Sequence, residues 1–443
     1  MSLAVTGALH NGERVGLRAR DGLIAELGPD VTPEPGDDVL DAAGSILVAP
    51  LVNGHTHAAM TLFRGYGDDL PLMRWLEEKI WPIERRLEPE DVYWGTRLAC
   101  LEMIRSGTVR YWDMYWHAPA AARAVADAGM RATVAAPLID VDGRSQAMRQ
   151  AALESLDELV AAGERIDAGL APHAIYTVTE DSLRWIAELS ADRGFPVQIH
   201  LSETEQEVVD CLAAHGERPA RYLDRVGLLT PRTVLAHGVW LDDDELELIA
   251  ERGAVVVTNP VANLKLAVGG VFPYPRARAA GVQVGLGTDG PGSNNSLDLF
   301  ADMKVLALLQ KHAANDAAAI DAIETWEIAT GQRAPLLGAA PRLEVGRPAD
   351  FLLLRAGAPE LSFGELPAAL VYAASGAVVH TTVVAGRVLM RDGEIEGADE
   401  VLARALERAR GLGLAPPVAS AASRTSAGSR TSPASAAFPH PRS

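Results

Sequence analysis

Apolar and polar positions follow two different grammars along the chain. Residues 3 to about 49 are short alternating runs broken by Asn11-Gly12, Asp21-Gly22, Gly28-Pro29-Asp30 and Pro35-Gly36-Asp37, which read as small antiparallel strands. The run Leu47-Val-Ala-Pro-Leu-Val-Asn-Gly-His-Thr-His57 then reads as a buried strand, after which amphipathic helical segments alternate with short apolar ones. Helices end in Ala128-Gly129, Arg193-Gly194, Arg252-Gly253 and Ala280-Gly281, each glycine a C-terminal cap with a strand directly behind it. The strands so predicted are the one reaching His57, then Thr108–Tyr111, Arg131–Ile139, Ile166–Leu170, Phe195–His200, Thr233–His237, Ala254–Val257 and Val282–Gly287. Eight strands alternating with helices predict an α/β chain folded as a (β/α)8 barrel, with a doubly wound open sheet as the alternative.

From about residue 344 the strand-and-turn grammar returns in Leu343–Arg355 and Ala377–Leu389. The two chain ends are therefore expected to meet in one small β-sandwich built from residues 1–49 and 344–414, beside a barrel spanning 50–343. Residues 415–443, rich in Ser, Ala, Pro and Thr without a period, read as a disordered tail.

Composition narrows the class. With 48% hydrophobic and 22% charged residues among 443, the chain is globular. A net charge of −19 without any Lys/Arg cluster argues against a nucleic-acid or anionic-membrane partner. Cys100 and Cys211 both sit in apolar helical patterns, which favours free buried thiols over a disulfide. The N-terminus lacks a basic region followed by an apolar core, and no uninterrupted apolar run approaches the length of a membrane span, so the expected location is the cytoplasm.

The candidate chemistry lies at the strand ends. His55 and His57 are two apart on an extended segment, so both side chains point the same way and can reach one cation. His173, His200, His237 and Asp289 follow the fourth, fifth, sixth and eighth predicted strands, the end at which barrels carry their sites. Three imidazoles and a carboxylate suit a zinc-like cation with a position left for water, whose pKa such a cation brings toward neutrality. Glu203 lies three residues beyond His200, near enough to shuttle protons without binding the metal. Asp289, in Gly287-Thr-Asp-Gly-Pro, has a competing reading as a cap.

Taken together, His55-Thr-His57, His200-x-x-Glu203, Ala236-His237 and Gly287-Thr-Asp289 resemble the amidohydrolase superfamily, in its mononuclear subgroup of deaminases and chlorohydrolases. Within it, the run from His57 through Phe63-Arg-Gly-Tyr-Gly-Asp-Asp-Leu-Pro-Leu-Met-Arg-Trp to Ile83-Glu84 is similar to the 5-methylthioadenosine/S-adenosylhomocysteine deaminases, as are Asn263-Leu-Lys-Leu and Ser293-Asn-Asn-Ser-Leu-Asp. The resemblance implies that His55, His57, His200 and Asp289 bind one divalent metal, zinc first, with iron and manganese also suited to such a donor set. It further implies that His237 bonds the attacking water or its oxyanion, Glu203 protonates a purine ring nitrogen, and Asp289 passes the water's proton to departing ammonia. Glu84 would accept from ribose hydroxyls, and His173 would touch the substrate.

The implied reaction is hydrolytic deamination of adenosine derivatives: 5′-methylthioadenosine, S-adenosylhomocysteine, 5′-deoxyadenosine or adenosine. The alternative keeps the machinery for another N-heterocycle: guanine, a pterin or an s-triazine. A third reading, a barrel kept as a non-catalytic scaffold, fits poorly with a full ligand set. A homo-oligomer is in keeping with such barrels.

Several positions depart from the family's pattern, among them Leu51, Gly54, Gly238, Thr258, Ala262 and Arg110-Tyr-Trp-Asp113. Ala136 stands where homocysteine-binding members commonly carry Arg, which leans toward smaller 5′ groups, although Arg144 or Arg149 could compensate. Met60, Leu72, Met73, Trp75 and Trp81 are candidates for a pocket wall or for core, and His117 for a substrate contact. His10, His215, His312, His380 and His440 read as structural or solvated.

Overall fold

The computed structural model describes residues 2–338 and 342–414; the expected tail, with His440, and residues 339–341 lie outside them. Eight parallel strands run in sequence order around one sheet: Leu51–Thr56, Thr108–Met114, Arg131–Leu138, Ile166–Pro172, Val197–Leu201, Thr233–His237, Val255–Thr258 and Gln283–Leu286. Helices lie between successive strands, which makes the body a (β/α)8 barrel rather than an open sheet. Helices Ala118–Ala128 and Asp243–Arg252 stop at Gly129 and Gly253, whose φ of 79° and 70° lets the chain turn back into the next strand.

The seam between last and first strands is stitched at the end that carries the histidines. The Asn53 side chain accepts from the Thr288 backbone N–H at 3.1 Å and donates to Thr288 Oγ1 at 2.7 Å. The Asp289 N–H donates to His55 O at 3.1 Å, and Thr56 Oγ1 donates back to Asp289 O at 2.9 Å. Barrel closure and placement of His55 beside Asp289 are thus one set of bonds.

The chain ends form a second, mixed sheet. It holds Ser2–His10, Glu13–Arg20, Leu23–Gly28, Asp38–Asp41 and Ser45–Val48 from one end, and Phe351–Arg355, Val379–Val384 and Arg387–Met390 from the other. Leu47 pairs with Leu353 where the two ends meet. Its core is Val5, Leu17, Ile24, Leu47, Phe351, Leu353 and Val383.

Two features differ from the expected pattern. The run Leu47–His57 is not one strand: Ser45–Val48 belongs to the mixed sheet and Leu51–Thr56 to the barrel, broken at Ala49-Pro50 because proline offers no N–H to continue a ladder. The last expected strand-and-turn region also contains a long helix, Ala398–Leu412, burying Val401, Ala405, Ala409 and Leu412. It packs on Pro89–Ser106, where Arg408 Nε donates to Asp91 Oδ1 at 2.6 Å.

Among the described residues an ion pair between Arg131 and Asp350 joins barrel to sheet. Buried Asp350 accepts from Arg131 Nε at 2.8 Å and from the Ala385 N–H at 2.6 Å. Asp350→Ala leaves both donors short of a partner and is expected to lower unfolding stability by about 3 kcal/mol. Urea denaturation checks it; a loss below about 0.5 kcal/mol would mean the junction relaxes around the gap.

Candidate active site

The strand ends converge on one buried chamber. Its wall includes His57, His173, His200, His237, Glu203, Asp289 and Glu84. Three non-glycine residues at these ends have left-handed backbones: Ser202 (φ 50°), His237 (φ 77°) and Asp289 (φ 60°). Such conformations cost free energy and collect where a site demands a particular side-chain direction.

Backbone carbonyls orient two of the imidazoles. His57 Nδ1 lies 2.5 Å from Met114 O and His200 Nδ1 2.7 Å from His173 O. Because a carbonyl can only accept, both Nδ1 atoms carry the hydrogen and both Nε2 atoms are turned inward. Those Nε2 atoms are 3.4 Å apart, and His57 Nε2 is 3.1 Å from Asp289 Oδ1. His55 Nε2 lies 3.4 Å from the same oxygen, and neither of its ring nitrogens has a hydrogen-bond partner although both are buried. The other oxygen of Asp289 is tied down by Ser293 Oγ at 2.6 Å.

These separations test the site for a metal. Ligands bonded at about 2.0–2.1 Å in a tetrahedron stand about 3.3–3.4 Å apart, close to the spacings here. Orphaned nitrogens on a fully buried His55 are otherwise costly, and a cation would satisfy the inward one. The donor set therefore fits a divalent ion. His55, His200, His237 and Asp289 offer ligand atoms all within 4.8 Å of one another, and His57 also reaches Asp289 and His200, so five side chains compete for the cation.

Electrostatics separates their roles. Burial, then repulsion from neighbouring imidazoles, takes His200 well below the usual histidine range. Burial likewise takes His55 down to about 4, against the pull of Asp289, and His173 down to about 3. Those rings are neutral near pH 7 and keep their lone pairs. Burial also opposes charge on His57, but its hydrogen bond to Asp289 and that group's negative charge win and raise it to about 9, so a cation must displace the Nε2 proton before His57 can bind it. Burial pushes Asp289 up, yet His55 and His57 outweigh it and hold the carboxylate far below its ordinary value.

Glu203 is the opposite case. Burial, reinforced by the charge of Asp289, raises it to about 8, so it holds a proton at neutral pH. Its backbone is fixed from beneath by Glu207, whose carboxyl accepts the Ser202 N–H at 2.9 Å and the Glu203 N–H at 3.0 Å. His237 Nδ1 donates to Asn263 Oδ1 at 2.8 Å, and stands 3.8 Å from Glu203 Oε1. Its Nε2 is left to face the chamber.

Met60, Leu72, Trp75, Leu76, Ile80 and Trp81 form an apolar cover, whereas Met73 points to solvent. Glu84 sits among Tyr115 and Trp116; burial raises its carboxyl, and the Trp116 and Tyr115 side chains partly offset this. The Tyr115 hydroxyl faces Glu84 but lies outside ordinary hydrogen-bonding geometry. Past Glu84 the chamber shares Trp81, Trp116, Pro137 and Ile139 with a cavity of about 810 Å³, to which Arg85, His117, Arg123 and Arg144 also contribute.

Residues 46–389 match the amidohydrolase family. The chain belongs to that family. A 5′-deoxyadenosine deaminase of Methanoregula boonei is 48% identical over 374 residues, which cover 83% of this chain and 84% of the relative. A 5-methylthioadenosine/S-adenosylhomocysteine deaminase of Moorella thermoacetica is 44% identical over 379 residues, covering 84% and 88%. Among solved structures, an adenosine deaminase of Xanthomonas campestris with bound zinc superposes with a TM-score of 0.87 at 34% identity, over 93% of this chain and 99% of that one. An atrazine chlorohydrolase of Arthrobacter aurescens, 21% identical with a TM-score of 0.83, shares the fold over 93% and 99%. Amidohydrolases of this kind depend on metal, in keeping with the His and Asp group described above.

In this amidohydrolase Ala136 is not among the residues that line the chamber. Along Arg131–Leu138 alternate side chains face opposite sides, and Ala132, Val134, Ala136 and Leu138 pack into the core under the helices. The wall of the chamber is made instead by Pro137 and Ile139. Arg149 is committed elsewhere, its Nε donating to Ser182 Oγ at 2.8 Å, while Arg144 lies at the wide cavity. Ser293, Asn263, Glu207 and Tyr115 acquired roles only in three dimensions, although Asn263 and Ser293 open the two motifs that carried the resemblance.

Proposed function

We propose that this amidohydrolase is a metal-dependent hydrolytic deaminase of adenosine derivatives, converting the 6-amino group of the purine to a 6-oxo group with release of ammonia. The observation that carries this reading is the presence, around one chamber, of a His and Asp cation site, a carboxyl kept protonated by burial at Glu203, and a second carboxyl at Glu84. The names of the relatives at 44% and 48% identity support it.

His55, His57, His200 and Asp289 would hold one divalent ion, zinc being supported by the zinc-bound neighbour. When bound there, such an ion would bring the pKa of a water toward neutrality. Asp289 would take a proton from the attacking water as the water oxygen bonds to purine C6, and Glu203 would give its own proton to N1. His237 steadies the oxygen through Nε2. The C6–N bond then breaks, the amino group leaving as ammonia with the proton carried by Asp289, and the remaining hydroxyl proton returns to Glu203. His173 borders the base, and Glu84 accepts from the ribose hydroxyls. The wide cavity beyond Glu84 takes the 5′ group, with room for substituents larger than a hydroxyl.

The reading is tested by incubating zinc-loaded protein with 5′-methylthioadenosine, 5′-deoxyadenosine, S-adenosylhomocysteine and adenosine, and measuring 6-oxo product and ammonia together. Equal amounts of both are expected, and ammonia without the 6-oxo nucleoside would overturn it. Glu84→Gln is expected to raise KM for nucleosides about 10- to 100-fold with a smaller change in kcat, because it weakens charge-assisted hydrogen bonds to a diol. An unchanged KM would remove Glu84 from the ribose site.

A further inference from the structure

The three stretches that carry the closer resemblance meet at one point beside the chamber. Lys265, from Asn263-Leu-Lys-Leu, donates through Nζ to Asp68 Oδ1 at 2.7 Å, to Asn295 Oδ1 at 3.1 Å and to the Gly292 carbonyl at 3.1 Å. Asn295, from Ser293-Asn-Asn-Ser, closes the ring by donating Nδ2 to Asp68 Oδ2 at 3.0 Å. Asp68, from Gly65-Tyr-Gly-Asp-Asp, belongs to the loop after the first barrel strand, whereas Lys265 and Asn295 follow the seventh and eighth. Three loops far apart in sequence are joined by one lysine. All three of its ammonium hydrogens have an acceptor.

What this ring holds is the cover of the site. The segment that starts at Asp68 runs through Leu72–Trp75, a π-helical turn at Leu76–Ile80, and Trp81–Glu84. From it come Trp75, Trp81 and Glu84, which wall the chamber. The contact continues below the ring: a Cβ added to Gly292 would stand 2.8 Å from Met60 Cε and 3.1 Å from Trp75 Cζ2, so Gly292 backbone and the Trp75 ring are packed directly together. On the other side, the turn Pro260–Lys265 carries Asn263, which holds His237, and is followed by Leu266, which lines the chamber.

We propose that Lys265, Asp68 and Asn295 form a clamp that fixes the segment 68–84 over the chamber, which makes Lys265 and Asp68 positioning residues for substrate. They touch neither metal ligands nor substrate, and act through Trp75, Trp81 and Glu84. The kinetic form of the proposal rests on the deaminase reading. Its structural form does not.

Lys265→Met keeps the length of the side chain and removes its charge and its hydrogen bonds. It is expected to raise KM for adenosine derivatives about tenfold or more, with a smaller fall in kcat and the wild-type metal content. Lys265→Arg should recover part of the loss. Asp68→Asn should show the same split, and the double variant should be little worse than either single one, since both break one network. Amide hydrogen exchange provides the readout that needs no substrate: faster exchange is expected in 68–84 and not in the barrel strands. Exchange in 68–84 unchanged from wild type in Lys265→Met would overturn the clamp, whatever the activity. Faster exchange with an unchanged KM would overturn its positioning role. If wild-type protein deaminates none of the nucleosides, the functional reading fails, and the exchange experiment still decides the clamp.

Discussion

Glu203→Gln is expected to lower kcat/KM for adenosine derivatives about 10²- to 10⁴-fold while the protein keeps its metal and its fold. The amide occupies the same space and can still hydrogen-bond N1, but it has no proton to give. The expectation rests on burial and the nearby Asp289 charge, which together raise Glu203 to about 8. The sign follows from the role. Glu203 acts as an acid, so its protonated form is the active one and is fully present well below pH 8. Activity should therefore fall as pH rises through about 8, and Glu203→Gln should lack that limb. A wild-type profile that rises through the same range would mean that the carboxylate is the working form. A variant with full activity would remove Glu203 from the reaction.

Asp289→Asn should have the second large effect, on the metal. Among the described residues Asp289 is the one carboxylate within 4 Å of both His55 and His57, at 3.4 and 3.1 Å, and Ser293 holds its other oxygen. Outer partners of ligands typically change metal affinity 10- to 100-fold, so Ser293→Ala is expected in that range and Asp289→Asn beyond it. Metal content after dialysis against a chelator is the readout, with circular dichroism as the check on folding. Two further variants separate the five competing side chains. His57→Asn should lose metal, because its Nε2 is turned inward by the Met114 carbonyl. His237→Asn should retain metal and lose turnover. The reverse pair of outcomes would assign the cation to His55, His200, His237 and Asp289, and leave His57 outside the shell.

That these side chains gather at one place was legible in the sequence because strand geometry is periodic and barrels carry polar residues at one end of their strands. His55, His57, His173, His200, His237 and Asp289 could be placed together from those two facts, and they line or border one chamber. The partners that tune them could not. Ser293 and Asn263 bond Asp289 and His237 through loops whose approach depends on the whole barrel, and Glu207 supports Glu203 only because the chain turns left-handed at Ser202. The side on which Ala136 lies was not legible either: an Ala in a strand can face either side, and only the register and the packing place it in the core. The helix Ala398–Leu412 was readable, since Val401, Ala405, Ala409 and Leu412 recur at about one turn, but the preceding strand grammar was carried through it. The break at Ala49-Pro50 was equally visible in the proline, and it separates two sheets.

The central claim is that this chamber hydrolyses the 6-amino group of an adenosine derivative. The ultraviolet shift from adenine to hypoxanthine tests it most directly, followed on zinc-loaded protein with the four nucleosides side by side and guanine, a pterin and an s-triazine assayed separately for their own products. The account predicts a fast shift with at least one nucleoside, and preference for a substrate whose 5′ group fills the cavity beyond Glu84. Flat traces with all four nucleosides, together with turnover of guanine, the pterin or the triazine, would contradict it.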